Sequence, residues 1–161
     1  MIKERLNKLK EKLNILNIDG YVIPKNDDFF SEYSLKDRLK IISNFSGSAG
    51  YAVILKDKNF LFVDGRYSLQ AQIESGKLFK IKSFQEIFNC TLFKNLTLGI
   101  DPKMFTSGQI HNFFSKNSYI RLIDENLIDQ IFPKKLNISK PFYSIDEKVV
   151  GESYLKKINR T

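Results

Sequence analysis

The sequence predicts an α/β sandwich built on a mixed β-sheet, and three observations predict it. Segments with helical spacing of apolar residues alternate along the chain with short strand-patterned runs. Two consecutive strand patterns, 51–55 and 60–63, are separated only by a polar turn at 56–59, so they form a hairpin and make part of the sheet antiparallel. A length of 161 residues, 42% hydrophobic and 13% aromatic, suffices for one domain with a real core.

Taken in order, Ile2, Leu6, Leu9, Leu13 and Leu16 recur at steps of three and four, one apolar stripe on a helix otherwise covered with lysine. A basic amphipathic helix can lie on a membrane. Here Gly20-Tyr21-Val22-Ile23 follows at once as a buried strand stopped by Pro24, which favours a helix packed on a sheet. Residues 25–33 read as a polar loop. Its adjacent Phe29 and Phe30 point to different sides, which places one inside and one outside. Asp27, Asp28 and Glu32 lack regular ligand spacing, so they read as a solvated loop rather than a cation site.

Leu35, Leu39 and Ile42 space a short helix that ends before the small-residue loop 45–50 and the hairpin. Asp64 is placed to cap a helix over 66–74 with Leu69 and Ile73 facing inward, and Gly76 stands at its C-terminus. A strand over 78–81 follows. Ser83 with Glu86 three residues on is a capping-box pattern, and Ile87 and Phe88 supply that helix's apolar face. Leu96, Leu98 and Ile100 alternate as a strand. Thr106 caps a helix carrying Ile110, Phe113 and Phe114. Residues 119–123 form the last strand and 126–131 a final helical turn or two. Pro133 and Pro141 bracket a lysine-rich stretch that reads as a linker, so 1–132 is one domain and 133–161 a linker and the start of another element, near Gly151-Glu152-Ser153.

The net charge of +8 raises the question of an acidic partner such as nucleic acid. Only five of the 26 basic residues are arginine, the usual residue for bidentate phosphate and base contacts, which argues against that partner. Gly47-Ser48-Ala49-Gly50 has the GxxG form of KH modules, but that loop joins two helices and here a strand pattern follows directly. The single cysteine, Cys90, fits a buried thiol in a reducing compartment. Charged residues across 1–13 do not form a signal peptide, and no apolar run would span a bilayer, so a soluble cytoplasmic protein is expected. Ser48 lacks the glycine two residues before it that a nucleophile elbow requires. With one histidine, His111, and no placed acid, a catalytic triad has no basis.

Residues 44–50 (Asn44-Phe45-Ser46-Gly47-Ser48-Ala49-Gly50) and Asp64-Gly65-Arg66-Tyr67 with Leu69-Gln70-Ala71 resemble the N-terminal domain of Xaa-Pro aminopeptidases, in the creatinase/prolidase family. The resemblance continues through Ile23-Pro24, Ser31-Glu32-Tyr33, Gly99-Ile100-Asp101-Pro102, residues 126–131 and Gly151-Glu152-Ser153, in that order, and looks most like the three-domain members. It implies a ribonuclease H-like sandwich with helices on both faces of the mixed sheet.

The resemblance also implies a proline-specific metallo-aminopeptidase. Its metal pair, usually manganese, is held by two aspartates, one histidine and two glutamates of a C-terminal domain. No matching ligand set occurs here, so this stretch is expected to be the non-catalytic portion, inactive alone, that aids dimerisation and shapes substrate access. The implied partners are the chain's own C-terminal domains, a second subunit and a peptide with proline second; nucleic acid and membrane are not among them. Arg66 is the leading substrate-access residue, because the family's N-terminal domains approach a neighbour's active site; the other reading is that it pairs with Asp64 and shapes the corner. Tyr67 and Ser48 are secondary residues of the same rim. The competing functional reading is a stand-alone basic module for RNA or a protein partner.

Overall fold

The computed structural model describes residues 2–31, 36–89, 91–115, 118–133 and 143–160. Helix α1 (Ile2–Ile15) uses the predicted stripe: Leu6, Leu9 and Leu13 are buried. It is followed by β1 (Gly20–Pro24), α2 (Arg38–Ser43), β2 (Gly50–Leu55) and β3 (Asn59–Val63). Next come α3 (Ser68–Ser75), β4 (Lys80–Ser83), β5 (Thr97–Ile100), α4 (Ser107–Ile110), β6 (Tyr119–Leu122) and α5 (Leu127–Ile131). Two short helices, α6 (Glu147–Val150) and α7 (Tyr154–Arg160), end the described chain and bury no residue.

The six strands form one sheet in the order β4-β3-β2-β1-β5-β6. The hairpin β2–β3 is antiparallel, as is β1–β2, while β1–β5, β3–β4 and β5–β6 are parallel. The sheet is therefore mixed, as predicted. Side chains alternate between its faces. Tyr21, Ile23, Ala52, Ile54, Leu61 and Val63 share a core with residues of α1, α2, α3 and α5. Val22, Val53, Phe60, Phe62, Leu98 and Ile100 face the other side.

That second side is covered by tight turns rather than regular helices: 3-10 segments at Phe84–Asn89, Thr91–Phe93 and Pro102–Met104, and a π-helical turn at His111–Ser115 following α4. Aromatic rings fill it in edge-on pairs, such as Phe60–Phe93 at 6.1 Å and Phe113–Phe114 at 5.9 Å.

Several elements depart from the sequence reading. The helix predicted over 66–74 begins as a 3-10 turn, Gly65–Tyr67, capped by Asp64, and becomes α-helical only at Ser68. Leu69 and Ile73 do not face inward; each is 74% exposed, and the residues that α3 buries are Ala71 and Ser75. The reason is close packing: α3 lies against β3 and β4 with the small residues Ala71 and Ser75 turned inward, and Ser75 Oγ donates to the Ser43 carbonyl at 2.9 Å. The strand predicted over 78–81 starts at Lys80 instead, because Leu78 and Phe79 donate their amides to Ser75 O and close a turn. Both Phe29 and Phe30 are exposed, correcting the expected split. Phe30 has a φ of 60°, and Asp27 organises the loop by accepting from the Phe29 and Ser31 amides.

Other local signals operate as read. Half of the expected box forms at Ser83: its amide donates to Glu86 Oε1, while its hydroxyl accepts from the Gln85 amide, and the segment they open is 3-10. Thr106 and Gln109 make a full capping box on α4. Asn126 caps α5. The short helix expected from Leu35, Leu39 and Ile42 is α2, with Asp37 as its cap; Leu35 lies outside the described residues, as do Cys90, Glu32, Tyr33 and positions 134–142 of the expected linker.

The two sheet edges differ in chemistry. Edge strand β4 carries Lys80 and Lys82. Edge strand β6 exposes Tyr119 and Leu122, and its one cation, Arg121, donates to the Leu16 carbonyl.

Candidate functional site

The loop 45–50 and the turn 64–67 meet at one corner of the sheet, and they bring the three predicted site residues together. Strands β2 and β3 pair Gly50 with Val63, so the loop entering β2 lies beside the turn leaving β3. The Ser48 and Tyr67 hydroxyls share a hydrogen bond of 2.8 Å. The Tyr67 ring meets Phe45 edge-on at 6.0 Å, and the Arg66 guanidinium lies over the Tyr67 ring at 5.7 Å. Gly47 is required here: a Cβ at that position would stand 2.3 Å from the Phe45 ring.

Arg66 does pair with Asp64, Nε to Oδ1 at 2.9 Å, while its side chain remains 77% exposed. Asp64 also accepts from the Arg66 amide, and the side-chain bond from Arg66 is the main cause of its pKa lying below the ordinary aspartate value. The corner thus presents a guanidinium and a phenol at the surface. Such a pair can bind a carboxylate or a carbonyl by charge-assisted hydrogen bonding.

Sequence reasoning gave no role to a second cluster, on the same strand-end rim of the sheet but beyond β1 and β5 rather than β2 and β3. Arg38, on α2, holds Asp129 of α5 in a two-point contact: Nε to Oδ1 at 3.0 Å and Nη2 to Oδ2 at 2.8 Å. Its Nη1 reaches Asp28 at 3.3 Å. Lys36 adds a further contact to Asp129 at 3.0 Å. Beside them Asp101, at the end of β5, accepts from Asn126 Nδ2 at 3.0 Å and from the Lys103 amide. These residues border an open recess of about 400 Å³.

Partial burial works to raise the Asp129 carboxyl, but the bonds from Arg38 and Lys36 outweigh it and hold the group below the ordinary range. Asp101, Asn126 and Asp129 stand in motifs that the sequence displayed. The signal for Arg38 was subtler: one of five arginines in a chain that mostly uses lysine, it stands where planar, two-point geometry is used.

His111 is exposed on the π-helical turn. Among the described residues no group of three or more His, Cys, Asp or Glu side chains is arranged to hold a metal ion, so the residues present do not fit a di-metal centre. No helix among them is long and apolar enough to cross a membrane. The GxxG segment leads into β2 rather than a second helix, which removes the KH reading.

Fold and site together define a class: a three-layer α/β domain on a mixed six-stranded sheet, with a polar corner and an ion-paired cluster along the same strand-end rim. The chain belongs to the Creatinase/Prolidase N-terminal domain family, whose sequence profile matches residues 5–130. It is 34% identical to "Probable Xaa-Pro aminopeptidase P" of Coprinopsis cinerea, over 98% of this chain and 28% of that protein. It is 30% identical to Xaa-Pro aminopeptidase 2 of Rattus norvegicus, over 96% of this chain and 25% of that one. The chain therefore spans about a quarter of the length of these curated relatives.

Among solved structures, an X-prolyl aminopeptidase from Caenorhabditis elegans, described as a cytosolic enzyme with a di-nuclear active site, superposes with a TM-score of 0.74. The superposition covers 99% of this chain and 30% of that one at 23% identity. The prolidase from Pyrococcus horikoshii OT3 shares the fold at a TM-score of 0.60 and 21% identity, over 80% of this chain and 34% of that one.

Proposed function

We propose that this chain is the N-terminal, non-catalytic domain of a proline-specific metallo-aminopeptidase. The observation that carries the reading is the similarity to Xaa-Pro aminopeptidases along nearly the whole chain, set against a match to only about a quarter of their length. The parent enzyme removes an N-terminal residue that precedes proline. Its metal pair, taken to be manganese, sits in a downstream domain, and the enzyme works as a cytoplasmic homodimer. Residues 1–132 form the accessory domain, and 133–161 lead into the next one. The corner of Ser48, Arg66 and Tyr67 borders the substrate entrance, where Arg66 contacts a peptide carboxylate or carbonyl.

Two measurements test this. In the full-length enzyme, Arg66→Ala raises KM with kcat and thermal midpoint near their original values, which is the signature of lost binding common to ground and transition states. Unchanged kinetics would retire the role of Arg66. The 161-residue chain supplemented with manganese leaves Xaa-Pro peptides intact; trimming by that chain alone would overturn the reading.

A further inference from the structure

The corner is held in shape from outside itself. The loop 46–50 consists of serine, glycine and alanine, so it has little side-chain surface with which to pack, and glycine leaves its backbone permissive. What fixes its start is one carboxylate on α3. Glu74 Oε2 accepts from the Ser46 amide at 2.8 Å, and Glu74 Oε1 accepts from the Ser46 hydroxyl at 2.8 Å. Gln70, one turn earlier on the same helix, donates both to Ser46 Oγ at 2.8 Å and to Glu74 Oε1 at 3.1 Å. Two residues beyond this clamp, Ser48 reaches Tyr67, and Tyr67 lies beneath the guanidinium of Arg66.

We propose that Glu74, seconded by Gln70, is a positioning residue: it clamps Ser46 to α3 so that Ser48 orients Tyr67, and Tyr67 in turn sets where Arg66 stands at the substrate entrance. This rests on the reading of the corner as a substrate rim. Glu74 touches no substrate in this scheme and acts only through the loop. The clamp needs a carboxylate, because both of its oxygens accept and the groups facing them are donors. A glutamine in its place keeps one acceptor for the Ser46 amide and turns the other oxygen into a donor facing the Gln70 amide nitrogen, which donates there. Partial burial works to raise the Glu74 carboxyl, but the Ser46 and Gln70 bonds prevail and keep its pKa below the ordinary glutamate value, so it is ionised at neutral pH. The core beneath the loop is built from Leu39, Ile42 and Phe45, with no contribution from Glu74, so the clamp is separable from folding.

The test combines hydrogen exchange on the 161-residue chain with kinetics of the full-length enzyme. In Glu74→Gln, amide exchange at 46–49 speeds up while β2 and β3 keep their protection. In the enzyme, Glu74→Gln raises KM by about threefold or more with kcat held, and the double variant with Arg66→Ala is no worse than Arg66→Ala alone, since residues acting through one contact are not additive. Unchanged exchange at 46–49 overturns the clamp. A normal KM in Glu74→Gln alongside a raised KM in Arg66→Ala overturns the positioning role and leaves the rim reading standing, and so does strict additivity of the two variants. No effect of Arg66→Ala removes the rim reading and this inference with it.

Discussion

Two arginine–aspartate pairs in this domain are nearly equal in length, 2.8 Å for Arg38–Asp129 and 2.9 Å for Arg66–Asp64, yet they stand in opposite surroundings. The first joins α2 to α5 with side-chain exposures of 7% and 25%, while those of the second are 77% and 42%. Removing one member of a buried pair strands its partner's charge in a poor solvent for it, whereas water takes over both members of an exposed pair. Distance alone therefore does not say which pair holds the fold. The buried pair is a fastening, and the exposed pair stands in water at the surface.

The largest test of that contrast is Asp129→Ala. It leaves Arg38 beside the Met104 sulfur and an exposed Asp28, and it is expected to cost about 3 kcal/mol in urea unfolding of the 161-residue chain. A loss as small as that of a surface pair would break the comparison.

The same contact has a pH signature. The folded pKa of Asp129 lies below the ordinary value of 3.8, so the pair's contribution is complete above that value and is lost as pH falls through the lower folded one. Acid titration of unfolding free energy in the wild type and in Asp129→Asn checks this, with the variant showing the shallower fall.

At the corner the effects shrink. Gly47→Ala pushes a methyl group into the Phe45 ring and is expected to cost roughly 2 kcal/mol by denaturation. Ser48→Ala and Tyr67→Phe each remove one half-buried hydrogen bond, about 1 kcal/mol, and the double variant costs less than the sum. Smallest of all, Arg66→Ala leaves the unfolding midpoint where it was; a clear destabilisation would mean that the exposed pair is a fastening after all.

How much of this was legible in the sequence depends on what kind of signal each feature leaves. The hairpin, the stripe on α1 and the caps at Asp64 and Thr106 are local, and local spacing found them. The inward face of α3 was misread because Leu69 and Ile73 carry the hydrophobicity while Ala71 and Ser75 carry the fit; close approach to the sheet selects small residues, which a hydrophobic pattern does not weight. The corner was legible because its three residues sit in two recognisable motifs. Its clamp was not, because Glu74 meets Ser46 only after the sheet folds the loop back over α3. Arg38 and Asp129 lie 91 positions apart, and nothing short of the tertiary structure puts them in contact.

The rim of the sheet at β6 has a practical side. Among the described residues no strand pairs with its outer side, and a short strand with exposed apolar side chains and its arginine turned back onto the body can take up an extended chain there. The lysine-bearing rim at β4 repels such visitors, and this one does not. Concentrated preparations of the isolated domain should begin to associate there, and a lysine in place of Leu122 is the smallest change that would keep the solution clear.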